Sequence, residues 1–439
     1  MRHRTIRHRI TRHRRTAALG LLALLVTACG GTSPSAGPAP AGGSAAADGP
    51  TTAPPAAADG GDLVIWAQTQ QAAALQPLAD RFGKEHGVKV TVAPQSVNTQ
   101  QAYVTATNAG KGPDLVVGAS DWLGNLVQNG TVAPVPLTAQ QKALFQPAAL
   151  EAVAQGGQQY GLPYATETLV LFRNTELAPA APATFEDLAG TAQDAVRAGK
   201  AEVPLALPVG QQGNAYALQP LFASAGGYLF GSKPDGGWDT ADLGVGGPGS
   251  IAAGELFKQY GEKGAGLFNR SVDTNAISLF TGRKSPYLVA GPWALGQVKQ
   301  AGLPYAISPV PGWAGKGPAR PFVGVQAFYL SAKARNQPLA QEFLLRAIGS
   351  EEGQLALYQA SPEPPALTSA LTRATAGDPD IGAFAAAGEA GQPLPTVPAM
   401  NAIWGPLGQA EASIVAGADP AETMRQAGEA IRAALAGGH

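Results

Sequence analysis

A chain of 439 residues with 45% hydrophobic, 14% charged and 7% aromatic side chains can build the core of at least two domains, which excludes a fibre or a multi-span membrane protein. Its net charge of −1 hides an asymmetry: without the seven arginines of the first fifteen residues, 23 basic residues face 31 acidic ones, a balance of −8 that excludes a nucleic-acid-binding body. One cysteine excludes an internal disulfide, and only His86 and His439 lie beyond the basic end, so a zinc site or a histidine-based nucleophile lacks raw material.

The chain opens with MRHRTIRHRITRHRR, followed by the short apolar run TAALGLLALLV and the small residues Thr27 and Ala28 before Cys29. This order predicts an export signal over 1–28, too short to span a membrane comfortably. Val26-Thr27-Ala28-Cys29 resembles the lipobox of bacterial lipoproteins, which implies cleavage before Cys29 and a lipid on its thiol. Residues 29–61, rich in Ala, Pro and Gly, contain no large apolar side chain and predict an uncollapsed tether. A flexible coil of that length reaches on average roughly 30 Å.

The folded body begins at Asp62. Leu63-Val64-Ile65-Trp66 predicts a buried strand, Leu75, Leu78 and Phe82 mark one face of a helix closed by Gly87, and Val88, Val90 and Val92 alternate as in a second strand. A strand, helix and strand within about thirty residues predict a βαβ unit and a parallel sheet. Asp114-Leu115-Val116-Val117 and Leu288-Val289-Ala290 read as further strands. Asp419-Pro420 predicts the cap of a last helix with Met424 and Ile431 on its buried face. Gly244–Gly249 superficially suggests a nucleotide loop, but Pro248 interrupts it and no clear strand precedes it, so a surface turn is the better reading.

Glu167 stands two residues before the apolar run Leu169-Val170-Leu171-Phe172, in a segment that looks ready for burial. A carboxylate is rarely buried without a partner, so this one either points outward or meets something there. Trp66, Trp122, Trp293 and Trp404 fall beside glycine, proline or strand ends. Any one of them is more simply a core residue; together they suit the apolar C–H faces of sugar rings, whose hydroxyl edges need polar partners.

Several segments, in order from about Leu63 to the C-terminus, resemble maltose- and maltodextrin-binding proteins, the solute receptors of ABC importers. They are Gly112-Pro113-Asp114-Leu115-Val116-Val117-Gly118-Ala119-Ser120-Asp121-Trp122-Leu123-Gly124, Leu162-Pro163-Tyr164-Ala165-Thr166-Glu167-Thr168-Leu169, Ala290-Gly291-Pro292-Trp293-Ala294, Pro321-Phe322-Val323-Gly324-Val325 and Pro395-Thr396-Val397-Pro398-Ala399-Met400-Asn401-Ala402-Ile403-Trp404. The resemblance implies a two-lobed α/β fold of the periplasmic-binding-protein type II, with a ligand cleft between lobes joined by hinge crossings. It implies a first lobe of 62–165 plus about 327–374 and a second of 166–326 plus about 375–439. It also implies that Asp121 and Glu167 bond sugar hydroxyls, that Trp293, Trp404 and Tyr216 stack on or border the rings, and that the turn after Trp66 faces the same cleft.

The sequence departs from that pattern. Gln70-Gln71 replaces an aspartate-lysine pair, Gly118 an aromatic residue, Trp122 an arginine and Asn214 a carboxylate. Neutral amides at Gln68, Gln70, Gln71 and Asn214 suit a neutral polyol better than a phosphate. The expected partners are such a sugar and an ABC permease with its cytoplasmic ATPase; the expected protein is a lipid-anchored monomer outside the cytoplasmic membrane, without cofactor, metal or enzymatic activity. The alternatives are a secreted glycoside hydrolase using Asp121 and Glu167 as its acid pair, or a receptor for another neutral sugar such as trehalose or cyclodextrin.

Overall fold

The first strand, Leu63–Gln68, is apolar on both faces, and the structure covers both. It pairs in parallel with Val90–Gln95 on one side and Leu115–Ala119 on the other. The intervening helix, Thr69–His86, buries Leu75, Leu78 and Phe82, and Gly87 ends it with φ of 65°, a left-handed cap that favours glycine. Val88 lies just before the second strand rather than in it. Asp114 also stands outside its strand: its carboxylate accepts the backbone N–H groups of Val64 and Arg335, each at 2.8 Å, and so locks the strand's entry. This computed structural model describes residues 61–95, 99–234 and 237–437, so Cys29, the export signal and nearly all of the tether lie outside the described residues.

The large sheet continues through a ten-residue strand, Phe322–Ser331, antiparallel to Leu115–Ala119 on one edge and to Gly161–Thr168 on the other. A second sheet sets Val170–Asn174 between Tyr287–Ala290 and Tyr305–Ser308, all antiparallel neighbours. Its central strand explains the apolar run after Glu167. Leu169 and Leu171 enter one core and Val170 and Phe172 another, because successive side chains point to opposite faces and both faces are covered.

The molecule is a mixed α/β fold whose cores fall into two lobes. One core gathers buried residues between Leu63 and Ala165 and again from Val325 to Ala370. The other two lie on the faces of the second sheet and draw on residues 169–322 and 374–431. Three segments therefore run from one set of cores to the other. Two are paired, since Val325 opposite Thr166 lies beside the first core while Phe322 packs in the second. The third is the helix Thr368–Gly377, whose Ala370 and Ala374 belong to different cores. The last helix, Pro420–Gly437, is capped where the sequence indicates: Asp419 Oδ1 accepts the Glu422 N–H at 2.8 Å, and Met424 and Ile431 are buried. Residues 244–247 form a turn, as expected, with the Gly247 N–H donating to the Gly244 carbonyl at 3.0 Å, but Val245 is buried in the second core and a strand, Trp238–Leu243, does precede it; the turn leads into the helix Pro248–Tyr260.

Candidate functional site

The two main sheets present the same local device. The strand Leu115–Ala119 runs into a single 3-10 turn, Ser120–Trp122, and then the helix Leu123–Gln128. The strand Tyr287–Ala290 likewise runs into the turn Pro292–Ala294 and the helix Leu295–Gln300. Each turn carries a half-buried tryptophan whose ring rests on a glycine of the preceding stretch. A Cβ on Gly118 would fall 2.2 Å from Trp122 Cε3, and one on Gly291 would fall 2.1 Å from Trp293 Cζ3. Those positions need glycine for lack of room, and the missing side chains fix the planes of the two indoles.

Glu167 lies on the paired crossing, opposite Gly324. Its Oε1 accepts a hydrogen bond from Gln326 Nε2 at 2.9 Å. Asp121, on the first turn, accepts the indole N–H of Trp404 at 3.1 Å through Oδ2. That bond joins two cores, because the Ser120–Trp122 turn is seated on the first and Trp404 packs against the second. Around Trp404 the aromatic rings form one wall. Tyr216 lies 6.4 Å from each of Trp293, Phe322 and Trp404 by ring centroid, and Phe322 meets Trp404 edge-on at 6.2 Å.

A third acid, Glu363, belongs to this group. It sits in the segment Ser361-Pro362-Glu363-Pro364-Pro365, which lies along the crossing strand through the Thr166 N–H to Pro364 carbonyl bond at 2.8 Å and the Ala366 N–H to Tyr164 carbonyl bond at 2.9 Å. Its Oε1 accepts the Ser361 hydroxyl at 3.0 Å. Burial pushes Asp121 up to about 6, against the opposing Trp404 hydrogen bond. It pushes Glu167 up to about 7, with Gln326 opposing and the Asp121 charge adding. It pushes Glu363 up to about 8, with the Glu167 charge adding. The hydroxyls of Tyr164 and Tyr216 are held well above their usual range, chiefly by burial and then by these acids.

No positive charge answers them. None of the ion pairs of the described residues includes Asp121, Glu167 or Glu363. Five buried polar atoms in the group have no hydrogen-bond partner among the described residues: Gln71 Oε1, Tyr164 Oη, Tyr216 Oη, Gln326 Oε1 and Glu363 Oε2. Gln71 stands beside the Tyr164 hydroxyl without a well-formed bond to it. Unmet buried groups cost about 1–3 kcal/mol each, so the group offers polar atoms for hydrogen bonding beside the apolar faces of the rings. Among the described residues no cluster of His, Cys, Asp or Glu could hold a metal ion.

The structure thus brings together Gln71, Asp121, Glu167, Tyr216, Trp293 and Trp404, and seats Trp122 next to Asp121. Trp66 does not join them: it is 2% exposed, inside the first core, where both faces of its strand are covered. Asn214 caps the helix Ala215–Ser224, its side-chain oxygen accepting the Ala217 N–H at 3.1 Å, so that oxygen is already engaged. The side chain of Gln70 lies outside the described residues. Glu363 was not expected from the sequence; a carboxylate set between prolines was the available signal.

Residues 77–385 match the bacterial extracellular solute-binding protein family, and the chain belongs to it. It is 28% identical over 393 residues to a galactooligosaccharide-binding protein of Bacillus subtilis, covering 87% of this chain and 91% of that protein. It is 30% identical over 356 residues to a maltotriose-binding protein of Pyrococcus abyssi, covering 79% of this chain and 75% of that protein. A maltooligosaccharide ABC transporter solute-binding lipoprotein of Streptococcus pneumoniae is 28% identical over 420 residues, covering 93% of this chain and 94% of that protein. Among the described residues no helix is long and apolar enough to cross a membrane.

Proposed function

We propose that this solute-binding protein is the receptor lipoprotein of an ABC sugar importer, taking maltose- and maltodextrin-type oligosaccharides between its lobes and delivering them to a membrane permease driven by a cytoplasmic ATPase. The lobes are 62–165 with about 327–374, and 166–326 with about 375–439. Cys29 carries the lipid that holds a monomer at the outer face of the cytoplasmic membrane.

The observation that carries the reading is the pairing of an aromatic wall, Tyr216, Trp293 and Trp404, with unpartnered buried polar atoms around Glu167. Sugars offer both surfaces: C–H faces for the rings and hydroxyls that donate and accept. Asp121 and Glu167 accept from sugar hydroxyls, the Tyr216 hydroxyl and Gln71 complete the polar edge, and Trp122 extends the apolar floor. A ligand touching groups on both lobes favours their approach by its differential contacts.

A thermal-shift screen across maltose, maltotriose, longer maltodextrins, galactooligosaccharides, trehalose and cyclodextrins tests this, since a ligand bound by the native state alone raises its melting temperature. Maltotriose or a longer maltodextrin should give the largest rise and be recovered intact by chromatography. No rise with any of these sugars, or shortened chains after incubation, overturns the reading.

A further inference from the structure

We propose that Glu363 is a third ligand-facing acid of this site, standing there as the neutral carboxylic acid and donating its proton from Oε2 in a hydrogen bond to an oxygen of the sugar. The proposal rests on the reading that the site takes an oligosaccharide.

The geometry separates the three acids by what they are offered. Asp121 receives an indole N–H and Glu167 an amide N–H, donors that remain donors whatever the pH. Among the described residues Glu363 receives the Ser361 hydroxyl on Oε1, while Oε2 has no partner. It is 4% exposed, so water does little to hydrate a charge there. The groups that act on it are Glu167 and Ser361, and it acts in turn on Tyr164 and Tyr216. They come from the crossing strand, the helix Ala215–Ser224 and its own segment, and none is a base. The buried Glu363 and the half-buried Glu167 feel each other's charge with no cation beside them, so they do not readily both ionise, and the one with fewer donors keeps the proton. The raised titration range of Glu363 agrees with this order.

The neutral acid changes what the site can do. Around it, Gln71 Oε1 and Gln326 Oε1 are further buried acceptors without a partner among the described residues, beside the Tyr164 and Tyr216 hydroxyls, which can donate. A protonated Oε2 supplies a donor that no lysine or arginine provides, and it lets a sugar ring oxygen or hydroxyl oxygen be read as an acceptor. Pro362 and Pro364 fix the backbone on either side, so the acid is held in place rather than reaching in from a flexible loop.

Calorimetry with maltotriose at pH 6 and pH 9 tests it on wild type, Glu363→Gln and Glu363→Ala. Glutamine keeps the shape, an acceptor and a permanent donor. From pH 6 to pH 9 wild type should lose about tenfold in affinity relative to Glu363→Gln, in which Glu167 still titrates; Glu363→Gln should stand within about threefold of wild type at pH 6, and Glu363→Ala should lose about tenfold at pH 6. A glutamine variant as weak as alanine at pH 6, or an alanine variant equal to wild type, overturns the proposal. So does tighter binding of a glucosamine trimer than of maltotriose that disappears in Glu363→Gln, because it marks an ionised acid pairing an ammonium. Carboxyl carbon NMR of wild type without added sugar decides the protonation separately: a Glu363 signal that ionises below pH 6 overturns it. Failure of every sugar to bind, with that signal still protonated at pH 6, would instead overturn the oligosaccharide reading on which the donor role rests.

Discussion

Replacing Trp404 with phenylalanine keeps an aromatic ring against Tyr216 and Phe322 but removes the indole N–H that Asp121 accepts at 3.1 Å. The partner is a half-buried carboxylate, and hydrogen bonds to charged groups contribute about 1.5–3 kcal/mol. The bond joins groups seated on different cores, so its loss should appear in the balance between apposed and separated lobes more than in the stability of either. Asp121 titrates near pH 6, raised by burial and held down by this bond. The N–H therefore matters most when Asp121 is ionised. We expect Trp404→Phe to weaken maltotriose binding roughly 10- to 100-fold at pH 8 and clearly less at pH 5. Calorimetry at the two pH values measures the affinities, and small-angle scattering with saturating sugar reports whether the lobes still approach. Equal losses at both pH values would show that the ring, not the N–H, matters, and an unchanged affinity at pH 8 would refute the cross-core role of the bond.

Glu167→Gln should cost about 1–2 kcal/mol of sugar affinity by turning charge-assisted bonds into neutral ones. Because burial raises its folded pKa to about 7, above the 4.5 of an ordinary glutamate, the wild-type acid contributes stability that is full below 4.5 and is lost as pH rises through 7. The variant should then lose less stability between pH 5 and pH 8, by up to about 3 kcal/mol, and parallel melting curves would contradict this. Gly291→Ala should displace the Trp293 ring and weaken sugar binding while Trp293→Ala restores no affinity to it; an alanine variant with native affinity and native tryptophan fluorescence would show that the ring has room to move. Cys29→Ala should leave the body folded and release it from the membrane fraction, and equal retention of mutant and wild type would refute the anchor.

The parts of the fold carried by local pattern were legible. The first strand, the face of the first helix, its Gly87 cap and the Asp419 cap all follow from periodicity and end chemistry. Asn214 had a local signal as well, since an asparagine directly before an apolar helical run is a cap, and the structure uses its oxygen in that way. Trp66 could not be separated from Trp293 by its neighbours alone. A strand covered on both faces buries even its last large side chain, whereas a tryptophan in a turn after a strand stays half open. Glu363 escaped for the opposite reason: its role depends on lying beside a strand nearly two hundred residues earlier, and Pro362 and Pro364 make its surroundings look like an ordinary turn.

The substitutions visible in the sequence also explain why this acid group has the character it does. The resemblance to maltose-binding proteins implies that Gln70-Gln71 takes the place of an aspartate-lysine pair and Trp122 that of an arginine. Losing both bases while keeping Asp121 and Glu167 would leave two buried charges uncompensated, and Glu363 makes three acids in the group. The fold answers with neutral donors, the Gln326 amide and the Trp404 indole, and with a raised pKa where a donor is scarce. Neutral donors stabilise an ionised acid less than a salt bridge does, but a cation brought into the same dry space would itself have to be desolvated. It follows that affinity here should depend strongly on pH and weakly on salt, because the charges that matter are buried protons rather than screened surface pairs. Raising sodium chloride from 0.05 to 0.5 M at constant pH should therefore shift maltotriose affinity by less than about threefold, and a tenfold loss would mean that a base outside this group governs binding.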